Sequence, residues 1–373
     1  MDLPRRRNRL PDAMTAAAST GVAKRELRLR RPPAALTLVL LLGLLVAILL
    51  ISATIGAANI PFHRLWPALG IGPADTSVIA RDKLVLFSIR LPRLACAAMI
   101  GAMLAMAGAM MQGLFRNALA DPALVGVSSG GAFAAALTIV IGDSLLAGYP
   151  YFSLDLLPGA AFAGSLATTF ALYRIPSSAG RTSVAIFLLA GLAIAALANA
   201  GIGLLVFVAD DRQLRDITFW LLGSLSGATW TKAAVLAPVL LTMLIAAPML
   251  ARPLDLLVLG EAEAFHAGVA VERIKRIAIV LISAMTGASV AVCGVVGFVG
   301  IIVPHLLRIA IGPGHRLLMP ASALLGAILM VAADSCARVI AAPAEVPIGI
   351  LTAAVGAPFF LVLLLRQRTL VSL

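Results

Sequence analysis

The chain has 373 residues, of which 61% are hydrophobic and only 12% charged, and its formal net charge is +12. Its mean hydropathy is +1.04, while a soluble domain carries roughly twice that charged fraction, so an ordinary soluble domain is excluded. The charge does not point to nucleic acid either, because its densest cluster (Arg5, Arg6, Arg7, Arg9, Lys24, Arg25, Arg28, Arg30 and Arg31) stands directly before a long apolar run.

Such a cluster holds an N-terminus on the anionic cytoplasmic face of a membrane. Residues 1–33 therefore read as a basic, disordered cytoplasmic leader, too long for a cleavable signal peptide, and 34–373 as one transmembrane domain. Apolar blocks of about twenty residues are the length of a membrane-spanning helix. They predict ten helices, near 35–56, 91–114, 125–142, 156–174, 184–208, 232–250, 273–293, 297–311, 317–338 and 348–366. An even number puts both termini on one side. With that side cytoplasmic, about 20 of the 29 basic residues face inward and about 9 outward, as the positive-inside rule requires. The outward exceptions, among them Arg90, Arg93 and Arg338, work against the orientation signal and need another reason to be there.

Glycines crowd the spans, notably Gly101, Gly108, Gly126, Gly130, Gly294, Gly297 and Gly300, and predict close helix packing. Pro304 removes a backbone donor and predicts a kinked or shortened eighth span. Met103, Met106, Met110 and Met111 have helical spacing and read either as a packed face or as thioethers facing a pathway, packing being the commoner meaning of that spacing. Cys96, Cys293 and Cys336 form neither a disulfide framework nor a metal motif. His63, His266, His305 and His315 are too dispersed for a metal site.

No catalytic machinery is visible. The four lysines (Lys24, Lys83, Lys232 and Lys275) never follow a glycine, so no phosphate-binding G-x-x-x-x-G-K-[ST] loop exists. Acids inside the spans are scarce, Asp334 being the clearest. A proton-coupled carrier working alone needs a relay of buried carboxylates or histidines, and an intramembrane enzyme needs a constellation that is absent. If the chain moves solute uphill, another subunit supplies the energy.

Three segments carry a resemblance. Arg90–Gly131 joins two arginines, a long apolar run and the polar break Arg116-Asn117-Ala118-Leu119-Ala120-Asp121-Pro122 to a glycine-serine-rich helix start. Gly294–Arg308 (GVVGFVGIIVPHLLR) leads into Gly314-His315-Arg316, and Ala333–Arg338 is followed by Glu345-Val346-Pro347-Ile348-Gly349 and Gly356–Phe360. Together they resemble the FecCD-type permeases, the membrane subunits of type II ABC importers for cobalamin, ferric siderophores or haem. The resemblance implies an all-α, ten-helix subunit of the bacterial inner membrane and a homodimer with the pathway on its two-fold axis. It also implies two cytoplasmic ATPase subunits that use ATP and Mg, a periplasmic substrate-binding protein, and no cofactor bound by this chain.

It further implies roles for particular residues. Arg90, Arg93 and Arg338 match arginines that receive glutamates of the binding protein; guanidinium forks suit this because they hold carboxylates bidentately. Leu259, Gly260, Glu261, Glu263, Phe265, His266 and Gly268 match the coupling helix that sits in an ATPase groove. Asn117 and Leu119 match a cytoplasmic gate, although Ala118 stands where the family carries proline. A second gate at the start of the fifth span is not carried over, since Val184 and Ala185 replace its polar pair, with Thr182 and Ser183 nearby. The stretch Val208–Trp230, read as an external loop, is most similar to the haem-transporting members. There Arg212 and Arg215 have two readings: contacts to haem propionates or the binding protein, or loop ion pairs with Asp210, Asp211 and Asp216.

Overall fold

The computed structural model describes residues 33–56, 60–71, 76–122, 126–145, 152–174, 177–178, 181–182 and 184–371. The leader at 1–32 and Ser183 of the second-gate region lie outside the described residues, as do the side chains of Thr182, Val184 and Ala185.

Ten helices match the ten predicted spans: α1 (Ala34–Thr54), α4 (Leu91–Leu114), α5 (Val127–Leu145), α6 (Phe152–Arg174), α7 (Val184–Val208), α9 (Trp230–Leu259), α11 (Val271–Cys293), α12 (Val299–Ile311), α13 (His315–Ile340) and α14 (Ile348–Val371). Six of the described segments are long and apolar enough to cross a membrane unaided, while α5, α6, α12 and α14 contribute shorter apolar stretches. Among the described residues four short helices join them: α2 (Phe62–Ala68), α3 (Thr76–Val85), α8 (Asp211–Leu222) and α10 (Glu261–His266). A π-helical turn, Leu86–Arg90, joins α3 to α4, and a two-residue hairpin pairs β1 (Ser177–Ser178) with β2 (Arg181–Thr182).

At the centre stands α4, with 20 of its 24 residues buried, packed against α9, α11, α12 and α13. Its sequence explains that position. Gly101 lies against the backbone of Gly326 on α13, and Gly108 against Gly300 on α12, so a Cβ at either would strike a main chain. Small residues bring backbones together where lipid supplies no hydrophobic drive. Met103, Met106, Met110 and Met111 fill the remaining core volume.

The short eighth span has a cause other than the one expected. The chain unwinds over Gly294–Phe298, before α12 begins, while Pro304 stays inside an unbroken helix. Gly294 (φ 73°) and Phe298 (φ 69°) take left-handed conformations there. Irregular backbone at membrane depth persists only where its polar groups find partners. Here Ser224 N donates to Cys293 O at 2.8 Å, and Gly349 packs on the carbonyls of Val295 and Leu222.

The reading of Val208–Trp230 as a loop needs correction. Asp211–Leu222 is a helix opened by a capping box: Gln213 N donates to Asp210 Oδ1 at 2.8 Å, and Asp210 N donates to Gln213 Oε1 at 3.2 Å. The high density of charge hid an amphipathic pattern whose one fully buried residue is Ile217.

Candidate functional site

Two polar centres sit at opposite ends of α4. At its N-terminal end the C-terminus of α1, the π-helical turn and the last turn of α13 converge. The final carbonyls of α1 have no intrahelical donors, and guanidinium groups supply them. Arg338 Nη1 donates to Ile55 O at 2.7 Å and Nη2 to Ser52 Oγ at 2.7 Å, while Arg90 Nη1 donates to Ala53 O. A cation against a helix C-terminus is also favoured by the dipole.

Arg93 donates from Nε to Asp334 Oδ1 at 2.9 Å and from Nη1 to both oxygens of Glu345, at 2.8 and 2.9 Å. Arg338 Nε lies 3.1 Å from Asp334 Oδ2, so Asp334 bridges two guanidinium groups. The three predicted docking arginines are therefore brought together, but they are not presented as free cations. Arg90, Arg93 and Arg338 are all buried, and each meets acceptors of its own chain. The Asp334–Arg338 pair was readable from its i,i+4 spacing. Glu345 was missed because its partner lies 252 positions away.

At the other end of α4, Gly260 (φ 148°) turns the chain from α9 into α10. Glu261 and Glu263 lie in the first turn of α10 and His266 in its last, the order the helix dipole favours. Ala264 is fully buried beneath, whereas Leu259 and Phe265 are about 70% exposed, and the Phe265 ring meets His266 edge-on with centroids 6.0 Å apart. Gly268 (φ 83°) ends the element.

Two part-buried polar contacts fasten this end of the bundle, the first through α10 itself and the second between α9 and α13. The Lys275 ammonium on α11 lies 3.1 Å from both oxygens of Glu261 and 2.8 Å from Glu272 Oε1. Asp255 near the end of α9 accepts from the backbone N–H of His315 at 2.9 Å and lies 2.6 Å from its Nδ1, so its carboxylate supplies an acceptor to the first residue of α13. Lys275 announced itself only through its i,i+3 neighbour Glu272. His315 and Asp255 gave no local signal, being 60 residues apart.

The predicted gate is a compact turn. Leu119 N donates to Asn117 Oδ1 at 2.9 Å and Ala120 N to Asn117 O at 3.1 Å, so the asparagine organises the turn with Ala118, not proline, after it. Arg212 and Arg215 are exposed on α8, and Arg212 lies 3.9 Å from Asp216 one turn on. Asp210 serves as the cap of α8 rather than as an ion-pair partner. His305 packs its ring against Phe359. Cys96 and Cys293 are buried and Cys336 is exposed, all as free thiols. Among the described residues no group of histidine, cysteine or acidic side chains is arranged to hold a metal.

Residues 44–366 match the FecCD transport family. The hemin transport system permease protein HmuU of Yersinia pestis is 44% identical over 328 residues, covering 88% of this chain and 95% of that one. The cobalamin import system permease protein BtuC of Halobacterium salinarum is 39% identical over 87% and 94% of the two chains. The iron(3+)-hydroxamate import system permease protein FhuG of Bacillus subtilis is 32% identical over 87% and 95%. A solved structure described as an inward-facing conformation of a metal-chelate type ABC transporter superposes with a TM-score of 0.77 at 32% identity, covering 89% of this chain and 99% of that one. By family, by fold and by the arrangement of its helices, the chain belongs to the FecCD transport family, as a permease of the type II ABC importers.

Proposed function

We propose that this permease moves haem from a periplasmic binding protein across the inner membrane to the cytoplasm. The observation that supports haem is the 44% identity to the hemin permease across 95% of that protein's length. In this reading two copies form the pathway between them. The arginine end of α4 faces the periplasm and receives the binding protein, and the α10 end faces the cytoplasm and receives an ATPase subunit on each copy. Both termini are then cytoplasmic.

The parts have a physical division of labour. Exposed Leu259 and Phe265 supply the contact with the ATPase. Glu261–Lys275 transmits displacement of α10 to α11, and Asp255–His315 passes movement of the α9 end, which leads into α10, to α13; α11 and α13 both pack on α4. The Asn117–Leu119 turn, at the end of α4, is the gate on that side. Arg212 and Arg215 stand at the opposite mouth, where cations suit haem propionates. Dedicated axial ligands are not needed, because a carrier must release what it binds.

Growth decides the cargo. An iron-starved strain deleted for this gene is supplied with haem or with a ferric siderophore as its only iron source. Loss of growth on haem alone, restored by the gene, is the expected result. A second reading, import of a ferric siderophore or cobalamin, is supported by the identities to the hydroxamate and cobalamin permeases. Loss of growth on the siderophore alone establishes siderophore import and removes haem.

A further inference from the structure

The two carboxylates of the arginine cluster differ in access. The Asp334 side chain is 1% exposed and wedged between Arg93 and Arg338, whereas that of Glu345, on the loop from α13 to α14, is 38% exposed. Glu345 places both oxygens on one nitrogen of Arg93, 2.8 and 2.9 Å away. Asp334 and the Arg90 and Arg338 contacts to Ala53, Ile55 and Ser52 are locked among helix ends. Within the cluster, Arg93–Glu345 is thus the ion pair open to exchange from solvent without parting the helices.

We propose that Glu345 is a resident carboxylate that occupies Arg93 in the undocked permease, and that an acidic side chain of the docking partner takes its place. The inference rests on the docking face assigned above and deepens it. Arg93 becomes the residue that touches the partner, while Arg90 and Arg338 hold the platform. Exchange keeps the number of ion pairs on Arg93 constant, with Asp334 holding its Nε throughout. It also keeps the docked complex separable, since the leaving carboxylate stays tethered beside its seat.

The tether connects docking to the bundle. Val346 N donates to Ala337 O at 3.1 Å, and Ile348 N donates to Gly223 O at 3.0 Å. The segment released with Glu345 therefore continues directly into the first turn of α14, which packs on the unwound stretch through Gly349 and Val295. A partner that displaces Glu345 acts on the break between α11 and α12.

The test uses the full permease with its ATPase subunits in nanodiscs and the purified cognate binding protein as probe, with size-exclusion profiles confirming each assembly. Glu345→Gln and Glu345→Ala are expected to tighten docking roughly three- to tenfold, because no internal pair has to be given up. Arg93→Gln and Arg93→Lys are expected to weaken it, and in the Arg93→Gln background Glu345→Gln should bring no gain. If the Arg93 variants weaken docking but both Glu345 variants leave it unchanged or weaker, the exchange is overturned and the docking face stands. If the Arg93 variants dock like wild type, the docking face and the exchange fall together.

Discussion

Asp334 and Glu345 contact the same guanidinium, yet their removal should have different consequences. Asp334 is buried between two arginines, so Asp334→Asn leaves Arg338 with only neutral acceptors and weakens the hold on Arg93. Removing one member of such a buried group costs about 3–5 kcal/mol. The thermal midpoint of the detergent-solubilised protein should fall sharply, and a midpoint like that of wild type would contradict the bridging role. Glu345→Gln, at a half-exposed pair, should change stability by no more than about 1 kcal/mol. The glycines present the opposite case, where adding atoms is harmful. Gly101→Val forces a branched side chain into the Gly326 backbone, and overpacking of this kind costs about 1–3 kcal/mol. Its measure is the same thermal midpoint, with Gly43→Val as the control, since nothing stands within 4 Å of a Cβ there. These glycine contacts were legible because small residues at helical spacing have few uses in lipid. The arginine partners were legible only in part: sequence gives the i,i+4 acid and cannot give one from a distant loop.

Among the elements, α10 gives the sharpest prediction. Lys275→Met or Glu261→Gln removes the tie between α10 and α11 while leaving the exposed Phe265 surface in place. In reconstituted vesicles, cargo moved per ATP hydrolysed should fall about fivefold or more, the lower range of a coupling free energy. The charge-conserving Lys275→Arg should retain part of it. Unchanged stoichiometry in both single variants would assign the tie to folding alone. The spans and α10 were readable because apolar length and glycine boundaries are strong local signals. The short helix α8 was not, because acids and arginines of both signs conceal its amphipathic face, and the interruption at Gly294–Phe298 depends on partners in the α8–α9 loop and α14 that no local pattern reveals.

On the scale of the whole molecule, burial is distributed very unevenly. The helices α1 and α7 leave most of their apolar side chains open, ready for lipid or a second copy, whereas α4 has almost no surface of its own. A homodimer is the expected state in mild detergent, and a mass for one permease copy per complex would remove the two-fold pathway. The enclosure of α4 also bears on how the protein is made. Its principal neighbour α13 begins about 200 residues after α4 ends, an interval of roughly 10–40 s at ribosomal speed. Throughout that time a glycine-rich helix bearing Arg93 at its start waits in the membrane without the carboxylate that will neutralise it. A chain halted at Gly314 should therefore be inserted and then cleared rapidly in a pulse-chase, whereas one that reaches Ile340 should persist. The helix that organises the finished permease is the one that most needs shelter during synthesis.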